Sequence, residues 1–152
     1  MKMGIIFIFL LLAIDFFTKQ WALKVLANRN AITIINDFFD LEYLENRGAA
    51  FGIFQNKVIF LVVITSIVII AMIYFLVKNK NKSKLLKWSL YLVIAGAIGN
   101  LIDRVSLGFV VDFLKFHYKD VYYFPTFNLA DTFVVIGTAL LMLCILKGEV
   151  NE

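Results

Sequence analysis

Residues 58–77 read VIFLVVITSIVIIAMIYFLV, twenty positions without a charge. An α-helical membrane span needs ~20 mostly apolar residues, so this run marks an integral membrane protein. Three further blocks flank it. Met3 to Leu26 is apolar but interrupted by Asp15 and Lys19. Leu85 to Ile102 carries Lys87 near its start, where a lysine can snorkel to the headgroups. Phe127 to Leu146 contains Asp131 near its beginning. The expected fold is an all-α membrane protein with four transmembrane helices, a single domain over residues 1–152. Its spans lie at about 3–26, 58–77, 85–102 and 127–146.

Composition agrees. Of 152 residues, 62% are hydrophobic, against roughly 45–50% in a soluble domain. The formal net charge is +4, but the lysines flank apolar spans. Topology and anionic lipid headgroups account for them, and no nucleic-acid partner is called for. The lone cysteine, Cys144, cannot form an internal disulfide and has no companions for a metal site. It reads as a small packed or lipid-facing residue. His117, the lone histidine, also lacks a ligand partner and reads as a loop residue. No metal or cofactor is expected.

The first block resembles a signal peptide in having Lys2 ahead of an apolar run. No small-x-small cleavage site follows, and the polar stretch Asp15 to Lys19 stands where one would lie. It is read as a retained span. The connection KNKNKSKLLK, residues 78–87, carries Lys78, Lys80, Lys82, Lys84 and Lys87. The positive-inside rule places it in the cytoplasm together with both termini. Residues 27–57 and 103–126 then face outward. Phe39-Asp40-Leu41-Glu42-Tyr43 alternates with a period of two, as a half-buried strand does. Ala31 to Ile35 is rich in β-branched residues and can pair with it through Asn36-Asp37. A small outward-facing β-sheet at the outer membrane surface is expected. Phe51, Gly52 and Phe54 suggest a re-entrant or interfacial segment. Lys115 to Phe124 suggests an aromatic loop at headgroup level, with Pro125 ahead of the fourth helix.

Ionisable groups near the centre of a span cost about 2.5–3.5 kcal/mol each, so those that persist are paired or used. The third span ends GAIGNLIDR. Asn100, Asp103 and Arg104 share one helical face, and Gly96 and Gly99 permit close approach of a neighbouring helix. For Asp103, a structural ion pair with Arg104 or another group is the favoured reading. Asp112 follows among apolar neighbours. The fourth span opens PTFNLADTF, with Asn128 and Asp131 three apart. Asn128 suits a helix N-cap, and Asp131 suits the positive helix N-terminus. Neither explains why two carboxylates and two asparagines gather at one end of two helices. Converging carboxylates can share a proton, the ionised one activating water and the protonated one donating to a carbonyl. Ion pathways also use intramembrane aspartates, and the residues alone leave both readings open. Asp15 and Lys19 are four apart and can pair on the same side of the membrane.

The stretches D-F-F-T-K (15–19), N-R-G-A-A-F-G (46–52), G-N-L-I-D-R (99–104), V-V-D-F (110–113) and F-N-L-A-D (127–131) resemble, in order and spacing, the motifs of the bacterial lipoprotein signal peptidase (signal peptidase II) family. Each is weak alone; five in order across nearly the whole chain are specific. The resemblance implies a four-helix aspartyl endopeptidase of the bacterial cytoplasmic membrane. Such an enzyme removes the signal peptide from lipid-modified prolipoproteins, cleaving just before the lipidated cysteine. It implies Asp112 and Asp131 as the catalytic dyad, at the outer face. It implies Asn100, Asp103, Arg104 and Asn128 as site-shaping residues, and Asn46 with Gly48-Ala49-Ala50-Phe51 as the segment over the substrate. Asp15 and Lys19 match the pair on the first helix. Partners implied are prolipoprotein signal peptides and membrane lipids, with inhibition by globomycin-like cyclic peptides. Phe16 stands where the family often has Gln, a departure with no consequence for the chemistry.

The alternatives are weaker. A transporter relay should place its charges near the bilayer midplane, whereas here they gather at one face. Presenilin-like and prepilin-peptidase-like enzymes carry G-x-G-D, which is absent. The D-T-G or D-S-G of soluble aspartic proteases is not matched by Asp131-Thr132-Phe133.

Overall fold

A computed structural model describes residues 2–49, 53–79 and 83–148. The element order is α1 (Lys2–Val25), β1 (Ile32–Ile35), β2 (Phe39–Asn46), α2 (Val58–Lys78), α3 (Lys84–Leu107), β3 (Val110–Tyr118), β4 (Tyr122–Tyr123) and α4 (Leu129–Leu146). All four helices are long and apolar enough to cross a membrane. α2 is rich in Val and Ile, which are indifferent helix formers. In lipid that preference is overridden, because a spanning backbone must satisfy its own hydrogen bonds.

α3 is the central helix, packed against α1, α2 and, most extensively, α4. It buries Leu86, Ser89, Leu90, Tyr91, Ile94, Ala95, Gly96, Gly99, Asn100 and Asp103, whereas α2 buries only Leu61 and Ile69. Lipid tails are as apolar as leucine, so close packing rather than escape from water holds such helices together. The small residues of α3 serve that purpose. A Cβ on Gly96 would run into the Ala130 carbonyl and Val134 of α4, and one on Gly99 would lie 2.6 Å from Asp15 Oδ2.

α3 runs five residues past the expected span end at Ile102. Asn100, Asp103 and Arg104 do not break the helix; they turn their polar groups toward α1 and the sheet. Gly108, in the left-handed conformation at φ 80°, then caps the helix by donating its N–H to the Arg104 carbonyl. The expected outward segment 103–126 therefore begins with helix.

The sheet is antiparallel in the order β1-β2-β3-β4. β1 and β2 form the expected hairpin, with Asp37 at φ 60° in the turn. β3 is the larger finding. It pairs Phe39 with Phe116, Leu44 with Asp112 and Asn46 with Val110, and it runs into the segment read as an aromatic loop, where Lys115 to Tyr118 and then Tyr122–Tyr123 are strand. His117 lies on this strand, not in a loop, with Nε2 3.2 Å from Asp40 Oδ2. Phe39, Phe116 and Phe127 stack in succession. Leu114 and Phe127 exchange backbone bonds of 2.8 and 3.0 Å, fastening the start of α4 to the sheet. Ala22 of α1 and Leu26, in the turn just after it, pack on Val111 and Phe113. Cys144 is buried with Leu86, Leu90 and Ile94 toward the other end of the bundle. Phe54 is exposed at φ 57°; Ala50, Phe51 and Gly52 lie outside the described residues, so the re-entrant reading rests there.

Candidate active site

Every candidate site residue read from the sequence, apart from Ala50 and Phe51, is placed at the end of the bundle where α3 stops, α4 starts and the sheet begins. Asn128 is the N-cap of α4. Its side-chain oxygen accepts the Asp131 backbone N–H at 2.9 Å, while Asp131 Oδ2 accepts the Asn128 backbone N–H at 3.2 Å, a complete capping box. The cap and the functional candidate are the same residue, because the amide nitrogen of Asn128 is still available. It donates to Asp112 Oδ1 at 2.7 Å.

Asp112 sits on β3 and is 1% exposed. Its second oxygen accepts from Asn46 Nδ2 at 2.9 Å, across the β2–β3 pairing. Asp131 Oδ1 accepts from Asn100 Nδ2 at 2.7 Å. All four carboxylate oxygens of the pair thus receive an N–H. Among the described residues the two carboxyls share no direct hydrogen bond; Asn100 and Asn128 join them, with Asn128 Nδ2 3.1 Å from Asn100 Oδ1.

The three asparagines cannot be turned round. Each side-chain oxygen faces a group that only donates: Lys19 Nζ at Asn100 (3.0 Å), the Asp131 N–H at Asn128, and the Gly48 N–H at Asn46 (3.0 Å). Each amide nitrogen must therefore face its carboxylate, which only accepts when ionised. Lys19 is 2% exposed and also contacts Asp15 Oδ2 at 2.8 Å and Asp103 Oδ2 at 3.1 Å. Its three N–H groups meet three acceptors. Asp103 is thus paired with Lys19 rather than with its neighbour Arg104. Asp15 Oδ1 accepts the Ala130 N–H at 2.9 Å, tying α1 to the first turn of α4. Arg104 donates to the Gly48 carbonyl at 2.9 Å, fixing the turn that carries Asn46.

Burial, and next the charge of Asp131, push the Asp112 carboxyl up to about 7; the Asn46 and Asn128 hydrogen bonds and Lys19 offset part of the rise. Asp112 can therefore hold a proton near neutral pH. Residue-type reasoning misses the backbone partners. The Val111 N–H donates to Asp103 Oδ2 at 3.1 Å, and its carbonyl faces Asn128 Nδ2 at 3.3 Å. A peptide group leaves no mark in a sequence pattern. Among the described residues, no cluster of His, Cys, Asp and Glu could hold a metal ion.

A four-span bundle with a buried and a half-buried aspartate brought together under a small sheet defines a class, the polytopic membrane enzymes. Two solved structures share the whole fold. Both are described as bacterial membrane enzymes studied by the in meso method. One gives a TM-score of 0.88 at 33% identity, covering 100% of this chain and 92% of the other. The second gives 0.83 at 33% identity, covering 97% and 94%. The signal peptidase II family matches residues 7–147. The lipoprotein signal peptidase of Clostridium tetani is 54% identical over 150 residues, 99% of this chain and 96% of that one. That of Clostridium novyi is 46% identical over 145 residues, 95% and 98%. The chain belongs to the signal peptidase II family: it is a multi-pass bacterial membrane peptidase.

Proposed function

We propose that this peptidase removes signal peptides from diacylglyceryl-modified prolipoproteins, cleaving just before the lipidated cysteine, with Asp112 and Asp131 as its catalytic dyad. The observation that carries the reading is the amide cradle: two carboxyls at one end of the bundle, each oxygen held by an oriented N–H. One dyad carboxylate takes a proton from water as the oxygen attacks the scissile carbonyl. The other, protonated, donates to the developing oxyanion. Collapse of the tetrahedral intermediate returns a proton to the leaving amine and restores the shared-proton state. The pair titrates as a unit, and the pKa of about 7 at Asp112 suits a proton donor working near neutrality.

The dyad faces outward and both termini are cytoplasmic, a reading supported by the lysine-rich connection at the other end of α2 and α3. A substrate anchored by its lipid would then meet the site at membrane depth, and a globomycin-like cyclic peptide would compete for the same site. The test is a gel-shift cleavage assay on a lipidated precursor. Purified Asp131→Asn should show no cleavage while remaining folded, and unlipidated precursor should not be processed. Substantial cleavage by that variant would overturn the dyad; equal processing without the lipid would overturn the substrate assignment.

A further inference from the structure

At the end of the bundle away from Asp112 and Asp131, α2 stands apart from α4 with α3 between them. This leaves a groove of about 440 Å³, lined by Val68, Ala71, Met72 and Phe75 of α2, Leu86 and Leu90 of α3, and Leu141 and Ile145 of α4. Its walls are wholly apolar side chains. Along α2 the lining runs from Val68 to Phe75, seven steps or about 10 Å at 1.5 Å per residue. That fits inside one leaflet, half of a ~30 Å hydrocarbon core.

The helix ends beyond the groove carry one sign of charge among the described residues. Each walling helix carries a lysine within three residues of its outermost lining residue: Lys78 after Phe75, Lys84 before Leu86 and Lys147 after Ile145. All three are exposed. No aspartate or glutamate stands at this end among the described residues; Glu149 and Glu152 follow beyond them. Basic positions around an interhelical groove at a membrane face recognise anionic lipid headgroups. A signal-peptide helix is the rival occupant, but its n-region is positively charged and would meet the lysines at these helix ends.

We propose that this groove binds an anionic phospholipid of the leaflet opposite the dyad. One acyl chain lies along Met72, Leu90 and Leu141, and the phosphate sits among Lys78, Lys84 and Lys147. The site is separate from the proteolytic one and stands whether or not the dyad assignment holds.

The test is native mass spectrometry of the detergent-purified full-length protein, titrated with phosphatidylglycerol and with phosphatidylcholine of the same acyl chains. Wild type should retain one phosphatidylglycerol at least tenfold better than phosphatidylcholine. The triple variant Lys78→Gln/Lys84→Gln/Lys147→Gln changes only exposed helix-end positions and should lose that preference. Ala71→Trp fills the groove and should abolish retention of both lipids. Equal retention of the two lipids by wild type would overturn the proposal, as would undiminished retention by folded Ala71→Trp. A photo-crosslinker at position 72, in phosphatidylglycerol vesicles with bound precursor, should label lipid. Labelling of the precursor instead would assign the groove to the signal peptide.

Discussion

Replacing Asp112 by Asn should remove activity and reverse the pH dependence of relative stability. The carboxyl rises from 3.8 to about 7 on folding, chiefly through burial. A raised pKa means that the folded state holds the proton more tightly than the unfolded chain does. The stabilisation is complete below about pH 4 and is lost as the pH climbs through about 7. At ~1.4 kcal/mol per unit, the full loss is about 4 kcal/mol, of which about 3 kcal/mol falls between pH 5 and pH 8. An Asn at 112 does not titrate and avoids this loss. It brings a pH-independent penalty instead. Both oxygens of Asp112 accept from amide N–H groups, those of Asn46 and Asn128, and neither amide is free to turn round. An NH₂ at one of those places opposes a donor to a donor, at about 1–3 kcal/mol. The variant should therefore be less stable than wild type at pH 5 and should gain about 3 kcal/mol relative to it by pH 8. At about 2–4 °C per kcal/mol for a chain of this size, the gap in melting temperature should move by roughly 6–12 °C across that window. Tryptophan-fluorescence melts of both proteins in one detergent, at each unit of pH, provide the measurement. A gap that stays constant from pH 5 to 8 would refute the assignment of the raised pKa to Asp112.

Three further outcomes follow from the same contacts. Asn128→Ser keeps an N-cap oxygen but cannot reach Asp112, whose buried Oδ1 loses its donor, so its melt should fall by about 1–3 kcal/mol while cleavage falls at least tenfold. Full activity in that variant would separate the cap from the chemistry. Lys19→Met strips from Asp15 and Asp103 the lysine that pairs with both and should lower stability by about 3–5 kcal/mol, the range for breaking a buried pair; a detergent melt reads it directly. Gly99→Ala sets a methyl against the Asp15 carboxylate and should destabilise by about 1–3 kcal/mol. A wild-type melting temperature for that variant would mean that α1 can shift without loss.

How much was legible depended on whether the signal was local. α2 reads directly because nothing competes with lipid for twenty uncharged residues. The end of α3 does not. Asn100, Asp103 and Arg104 look like the close of a span, yet they are buried or half-buried, because Lys19 and Gly48 supply partners from 81 and 56 residues away. Strand β3 was hidden for a similar reason. Val110-Val111 and Phe113-Leu114 bury both faces, which erases the period of two, and the pairing strand lies some 70 residues earlier. The site residues were individually visible as polar groups in expensive places. Their connections were not, since three asparagines drawn from β2, α3 and the cap of α4 act only through the geometry that aims them.

That choice of asparagine bears on the chemistry. Among the described residues, no lysine or arginine forms an ion pair with Asp112 or Asp131. The buried Lys19 and the half-buried Arg104 are kept one step away. Lys19 spends its protons on Asp15, Asp103 and the Asn100 oxygen, and Arg104 donates to carbonyls. A cation placed directly on either carboxylate would favour the charged form and drive it toward permanent ionisation. A neutral amide fixes the position of an oxygen while adding no charge, so the carboxyl can still bind a proton. Asp112 shows the balance: two amide bonds and a distant lysine oppose burial and the Asp131 charge, and the carboxyl settles at about 7. Exchanging Asn46 for a lysine would keep a donor near Asp112 Oδ2 and yet remove the proton the reaction needs. Cleavage by such a variant should survive only at a pH well below the wild-type range, and an unchanged pH profile would show that the amide is there for shape alone.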